Sequence, residues 1–117
     1  MKLLTPAELE IMNALWSRGE CTVRDLLGEL GKGRAYTTVS TLVRILEQKG
    51  FVRSRSLGRS HLYRPTLGKP EYQSTSLRDL LARLFGGDAG ALVRSLLSTR
   101  NLTPEDLAEI RKLLEHR

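Results

Sequence analysis

Six stretches of the chain place apolar residues three and four apart, the spacing that lines one face of a helix, and one stretch after Gly50 alternates instead. Leu9, Met12, Leu15 and Trp16, with Ile11 beside them, predict a first helix that ends near Ser17. It opens on Thr5-Pro6-Ala7-Glu8, where Thr5 can cap, Pro6 suits the first helical position and Glu8 can complete a capping box. Thr22 and Asp25 repeat the cap ahead of Val23, Leu26, Leu27 and Leu30, so a short second helix spans about residues 23–30 and closes on Gly31-Lys32-Gly33. A third runs from Tyr36 or Thr37 to Lys49, with Val39, Leu42, Val43 and Leu46 inward and Gly50 as its stop. Phe51 to Leu57 and His61 to Arg64 then read as two short strands around the turn Leu57-Gly58-Arg59-Ser60. Three helices followed by a hairpin predict a winged helix-turn-helix, with the third helix entering a major groove and the hairpin as the wing.

Residues 66–73 read as a connection that turns into helix after Pro70. The remainder is helical: Leu77, Leu80, Leu81, Leu84 and Phe85 form one stripe ending at Gly86-Gly87, and Leu92, Val93, Leu96 and Leu97 form a second. A third cap box, Thr103-Pro104-Glu105-Asp106, introduces Leu107, Ile110, Leu113 and Leu114. Three short helices cannot shield this much leucine alone, which predicts a two-fold homodimer in which the same faces meet; folding back onto the front domain is the alternative. The expected architecture is mainly α with a small β wing: a winged-helix domain over residues 1–70 and a helical dimerisation domain over residues 71–117.

Charge singles out one segment of this plan. Between residues 31 and 64 stand eight Lys or Arg (Lys32, Arg34, Arg44, Lys49, Arg53, Arg55, Arg59, Arg64) against one acid, Glu47, a balance of +7 in a chain whose total is +6. Residues 1–64 carry +5 and residues 65–117 only +1, so the front half is the expected polyanion binder. On the third helix, Thr37, Ser40, Thr41 and Arg44 share the face opposite Val39, Val43 and Leu46, where small hydroxyls permit close approach to bases and Arg44 can fork onto guanine or hold a phosphate. For Thr37 or Thr38 taken singly, a helix cap is an equal reading. Arg34 and Tyr36 are placed for phosphate contact at the positive end of the helix dipole. Arg53, Arg55, Arg59 and Ser60 on the hairpin, with Arg64, supply further donors, Arg59 and Ser60 nearest the tip. Tyr63 reads as wing packing and His61 as a surface strand residue.

Several ordered motifs together resemble the penicillinase repressor family, the BlaI/MecI/CopY type of winged-helix repressors. They are Leu4-Thr-Pro-Ala-Glu-Leu-Glu-Ile-Met-Asn-Ala-Leu-Trp16, Tyr36-Thr-Thr-Val-Ser-Thr-Leu-Val-Arg-Ile-Leu-Glu-Gln-Lys-Gly50, Gly58-Arg59 leading into Tyr63, Leu84-Phe-Gly-Gly-Asp88 and Leu102-Thr-Pro-Glu-Asp-Leu107. The resemblance covers nearly the whole chain and implies a homodimer on a palindromic operator that blocks transcription. In the antibiotic-resistance members it also implies a membrane sensor protease and cleavage in the dimerisation segment, which by position falls near Ser95-Leu96. This chain departs from the Asn-Phe pair associated with those repressors, and it lacks the cysteine cluster of the copper-responsive members.

An enzyme is not expected, since His61, His116 and Cys21 lie in different segments and form no nucleophile, base or metal constellation; no cofactor is implied. Cys21 reads as a small, partly buried apolar residue at a turn, and a lone cysteine permits no intrachain disulfide. No apolar run reaches the roughly 20 residues of a membrane span and no secretory h-region opens the chain, so a cytoplasmic location is expected. Two further functions share this pattern: a winged helix used as a protein-interaction module, and a repressor that senses a small molecule.

Overall fold

The computed structural model describes residues 3–31 and 33–116, so Lys32 of the expected turn lies outside the described residues. Helices α1 (Pro6–Arg18), α2 (Val23–Leu30) and α3 (Tyr36–Gln48) precede strands β1 (Val52–Leu57) and β2 (Ser60–Pro65), and α4 (Lys69–Phe85), α5 (Ala89–Ser98) and α6 (Pro104–Glu115) follow. This is a winged helix-turn-helix with three further helices. Full capping boxes open α1, α2 and α6, each with a threonine hydroxyl (Thr5, Thr22, Thr103) accepting an amide N–H three residues on and that residue's carboxylate answering the cap's own N–H. α3 differs: Ala35 is its N-cap and no side chain caps it, so neither Thr37 nor Thr38 plays that part. The helix begins two or three residues earlier than a cap at Thr37 or Thr38 would allow, and both threonines lie exposed in its first turn. Its other end is a Schellman motif, with Phe51 N–H bonded to the Leu46 carbonyl and Gly50 N–H to that of Glu47, and Gly50 takes the positive φ (86°) the motif needs.

The hairpin is antiparallel, with Val52 opposite Pro65 and Leu57 opposite Ser60, leaving Gly58-Arg59 as a two-residue turn. Positive φ at Gly58 (60°) and not at Arg59 fits a type II′ turn, whose twist matches that of the strands. Cys21 extends the sheet by one bridge: its N–H donates to the Tyr63 carbonyl (3.0 Å) and the Tyr63 N–H donates back (2.8 Å). This pairing ties the α1–α2 turn to the wing and buries Cys21 fully, where only partial burial was expected.

Contacts divide the chain into two units, Met1–Thr75 and Ser76–Arg117. In the first, Ile11, Met12 and Leu15 of α1 pack with Leu26 of α2, Val39, Val43 and Leu46 of α3, and Phe51 and Val52 at the wing's base. Trp16, Leu9, Leu27, Leu30 and Leu42, expected inside, are half-buried at the edge of this core. The opening turns of α4, which begins at Lys69 ahead of Pro70, belong to the same unit. Buried Tyr72 lies between Trp16 and Phe51, tilted against the first and edge-on to the second (ring centroids 5.7 and 5.9 Å), its hydroxyl accepts from Leu4 N–H at 2.9 Å, and the Trp16 indole donates to the Leu67 carbonyl at 3.0 Å. One buried charge joins two helix ends: Glu8, 2% exposed, takes Lys49 Nζ on both carboxylate oxygens (2.7 and 2.9 Å).

Among its described residues the second unit has no such core. Beyond Tyr72, α4, α5 and α6 bury no side chain fully. Leu77, Leu80, Leu84, Val93, Leu96, Leu97, Leu107, Ile110, Leu113 and Leu114 are exposed, Leu84 at 68% and Leu114 at 65%, while Leu81, Phe85 and Leu92 are half-buried.

Candidate nucleic-acid interface

The Val39, Val43 and Leu46 stripe anchors α3 to the core and thereby turns Thr37, Thr41 and Arg44 fully outward, with Ser40 half-buried beside them. A cleft of about 500 Å³ opens between this helix and the wing. Tyr36, Ser40, Arg44 and Glu47, one helix stripe, form its first wall; Ser54, Arg59, Ser60, His61 and Tyr63 of the wing form the second; Thr22, Val23 and Arg24 at the start of α2 close the end. The structure thus brings together Tyr36, Ser40, Arg44, Arg59 and Ser60 from the expected set. Thr37, Thr38 and Thr41 stand exposed on the same helix outside the cleft.

Strand pleat separates the remaining arginines. Ser54, Tyr63 and His61 share the face toward α3, so the alternate positions Arg53, Arg55 and Arg64 fall on the opposite face. Arg55 forks onto Glu20, Nε at 2.9 Å and Nη2 at 2.7 Å. That hydrogen-bonded fork, resisted by partial desolvation and helped by the charges of Arg55 and Arg64, holds the Glu20 carboxyl below its ordinary range. Arg34 is likewise engaged, its Nη2 donating to both oxygens of Glu10. Both arginines were expected as free phosphate donors; each already holds a carboxylate, which a phosphate must displace or share.

Seven cleft residues were not among the expected contacts: Thr22, Val23, Arg24, Glu47, Ser54, His61 and Tyr63. Ser54 Oγ donates to Glu47 Oε2 and fastens the wing to α3. Tyr63 is half-buried; burial first, then the charge of Glu47 and the proximity of Tyr36, pushes its hydroxyl above the ordinary range against the opposing pull of Arg44. Register carries the signal that would have found three of them, because a two-residue turn at Gly58-Arg59 fixes residues 54, 61 and 63 on one face.

An exposed hydroxyl-and-arginine helix beside a wing with arginine at its tip is a surface for a polyanion groove. Comparison with known proteins agrees, since the sequence profile of the penicillinase repressor family matches residues 4–116. The chain belongs to the penicillinase repressor family. A penicillinase repressor of Bacillus licheniformis is 25% identical over 114 residues, covering 96% of this chain and 89% of that protein. The solution structure of the DNA-binding domain of the repressor BlaI is similar at 26% identity and a TM-score of 0.53, over 62% of this chain and 94% of that one. Bacillus licheniformis BlaI in its monomeric form, solved in complex with the blaP half-operator, is similar at 26% identity and a TM-score of 0.51, over 61% of this chain and 89% of that one. The penicillinase repressor family is one of BlaI/MecI-like DNA-binding transcriptional repressors, not of enzymes. Among the described residues no group of three or more His, Cys, Asp or Glu is placed to hold a metal ion, and no helix is long and apolar enough to cross a membrane.

Proposed function

We propose that this chain represses transcription as a homodimer that sets two reading heads on a palindromic DNA operator. The observation that carries the reading is the α3 face, where Thr37, Thr41 and Arg44 project from a helix whose opposite side is locked into the core. In this reading α3 lies in the major groove, with Ser40, Thr41 and Arg44 toward base edges, Thr37 and Thr38 near its entrance, and Arg34 and Tyr36 at the phosphates beside its N-terminus. Arg59 and Ser60 at the wing tip meet the adjacent backbone or minor groove. Arg53 and Arg55 act only at the rim, because the pleat turns them away from the cleft.

The second unit supports dimerisation. Its uncovered leucines on α4, α5 and α6 form more apolar surface than single helices retain in water, and a second copy offers a self-complementary cover. Residues 71–117 are the proposed dimerisation domain, its uncovered apolar faces starting at Leu77, since Tyr72 belongs to the core of the first unit. Release by a sensor protease at Ser95–Leu96 would act in the middle of α5, so the helix must unwind before that bond is cut.

Binding to a duplex enriched by the chain from a randomised library tests the reading. Affinity should fall steeply with salt as phosphate contacts release counterions, and Arg44→Ala should cost about 1–3 kcal/mol, concentrated at one base position. Failure of the library to enrich any sequence, or binding indifferent to salt, would overturn it.

A further inference from the structure

Glu47 is the one acid in the +7 segment, and the proposed reading of DNA makes no use of it. Six acids occur in residues 1–64, and five of them have a cation within salt-bridge distance: Glu8 has Lys49, Glu10 has Arg34, Glu20 has Arg55, and Asp25 and Glu29 have Arg18. Among the described residues no cation pairs with Glu47. Its partner is a neutral hydroxyl, Ser54 Oγ, which fixes the carboxylate in place without cancelling its charge. The residue continues the Tyr36, Ser40, Arg44 stripe by one turn and lines both the α3–wing cleft and the shallower hollow at the wing's base beside Gly50 and Thr66.

We propose that Glu47 is a specificity-determining residue, a fixed negative charge that denies the DNA backbone the wing-base end of the cleft. The inference rests on the DNA-binding function proposed above. A basic surface binds any duplex through phosphate contacts, and discrimination then requires a cost attached to the wrong seatings. A duplex seated so that α3 reads base edges with Ser40, Thr41 and Arg44 keeps its phosphates at Tyr36, Arg34 and the wing tip, clear of Glu47. A duplex that slides along the groove, or lies across it as on random sequence, brings a phosphate toward the wing base and meets an unneutralised carboxylate. Glu47 therefore weakens non-specific binding more than operator binding, and Ser54 keeps the charge from swinging away.

The test compares the intact wild-type chain with Glu47→Gln, whose amide oxygen still accepts from Ser54, on two probes: the duplex enriched by the wild type and a scrambled duplex of equal length. Glu47→Gln should bind the scrambled duplex about threefold to tenfold more tightly and the enriched one nearly as the wild type does, with the gain shrinking as salt screens the repulsion. Equal gains on both probes, or a gain that persists unchanged in high salt, would overturn the proposal. Ser54→Ala keeps the charge and removes its tether, so it should lose part of the discrimination that Glu47→Gln loses; if adding Ser54→Ala to Glu47→Gln cost discrimination beyond that of Glu47→Gln alone, the effect would belong to wing position and the proposal would fall. A wild type that enriches no sequence would instead sink the DNA-binding reading itself.

Discussion

The two units of this chain solve the same problem of amphipathic helices in opposite ways. In Met1–Thr75 the stripes of α1, α2 and α3 converge on one another, and seven side chains, from Met12 to Val52, are almost wholly removed from water. In Ser76–Arg117 the stripes are at least as rich in leucine, yet none of α5 or α6 is buried. Amphipathicity alone therefore does not decide where a helix hides its apolar face. Turn length does not decide it either, since residues 86–88 and 99–103 join α4, α5 and α6 as briefly as residues 19–22 and 31–35 join α1, α2 and α3. What the first unit has besides is the wing, tied to the α1–α2 turn by the Cys21–Tyr63 bridge, while the second keeps its faces open for the partner copy we propose.

The largest effects should fall in the closed unit. Leu26→Ala empties a fully buried position and should cost about 2–5 kcal/mol, lowering the melting temperature by the same amount at every protein concentration. Leu113→Ala alters a side chain that is 62% exposed, and should leave a dilute sample unchanged while lowering the melting point of a concentrated one. Calorimetry across a hundredfold dilution series reads the contrast; matching behaviour of the two variants would erase the distinction between the units.

A smaller effect belongs to the Glu8–Lys49 pair. Burial pushes the Glu8 carboxyl up, but hydrogen bonds from Lys49 and the Thr5 amide, with the Lys49 charge, outweigh it and hold the group below its ordinary 4.5. A carboxyl with a lowered folded value stabilises the fold fully above about pH 4.5 and loses that contribution as pH falls through the lowered value. Glu8→Gln should thus cost about 2 kcal/mol near neutral pH, and its urea midpoint should converge with the wild type's in acid. Parallel curves down to acid pH would mean that the charge is not what matters. Smallest is Tyr72→Phe, which keeps the ring contacts to Trp16 and Phe51 and removes the acceptor for Leu4 N–H, at about 1 kcal/mol in the same denaturation measurement.

Much of this was legible in residue spacing. The boundaries of α1, α2 and α3, the three threonine caps and the turn at Gly58-Arg59 follow from signals that act within four residues, and the structure places them within one or two positions of expectation. The outward face of α3 was legible for the same reason, since Ser40, Thr41 and Arg44 need only helical period to be set opposite Val39 and Val43. The cleft was less so. Its second wall comes from strands whose facing depends on register, and the acids that occupy Arg34 and Arg55 lie 24 and 35 residues away along the chain. Local pattern carries no trace of such pairs; only the assembled fold reveals that a block of eight cations contains several already spoken for.

Trp16 is the sole tryptophan, and it sits half-buried with its indole N–H bound to Leu67 and its ring against Tyr72. The molecule therefore carries its own optical gauge. Emission excited selectively from that indole reports whether the segment from Leu67 to Tyr72 is seated on α1, with no label attached and no competing fluorophore of its kind. A red shift on DNA binding, dilution or proteolysis would register the loosening of that seat as it happens.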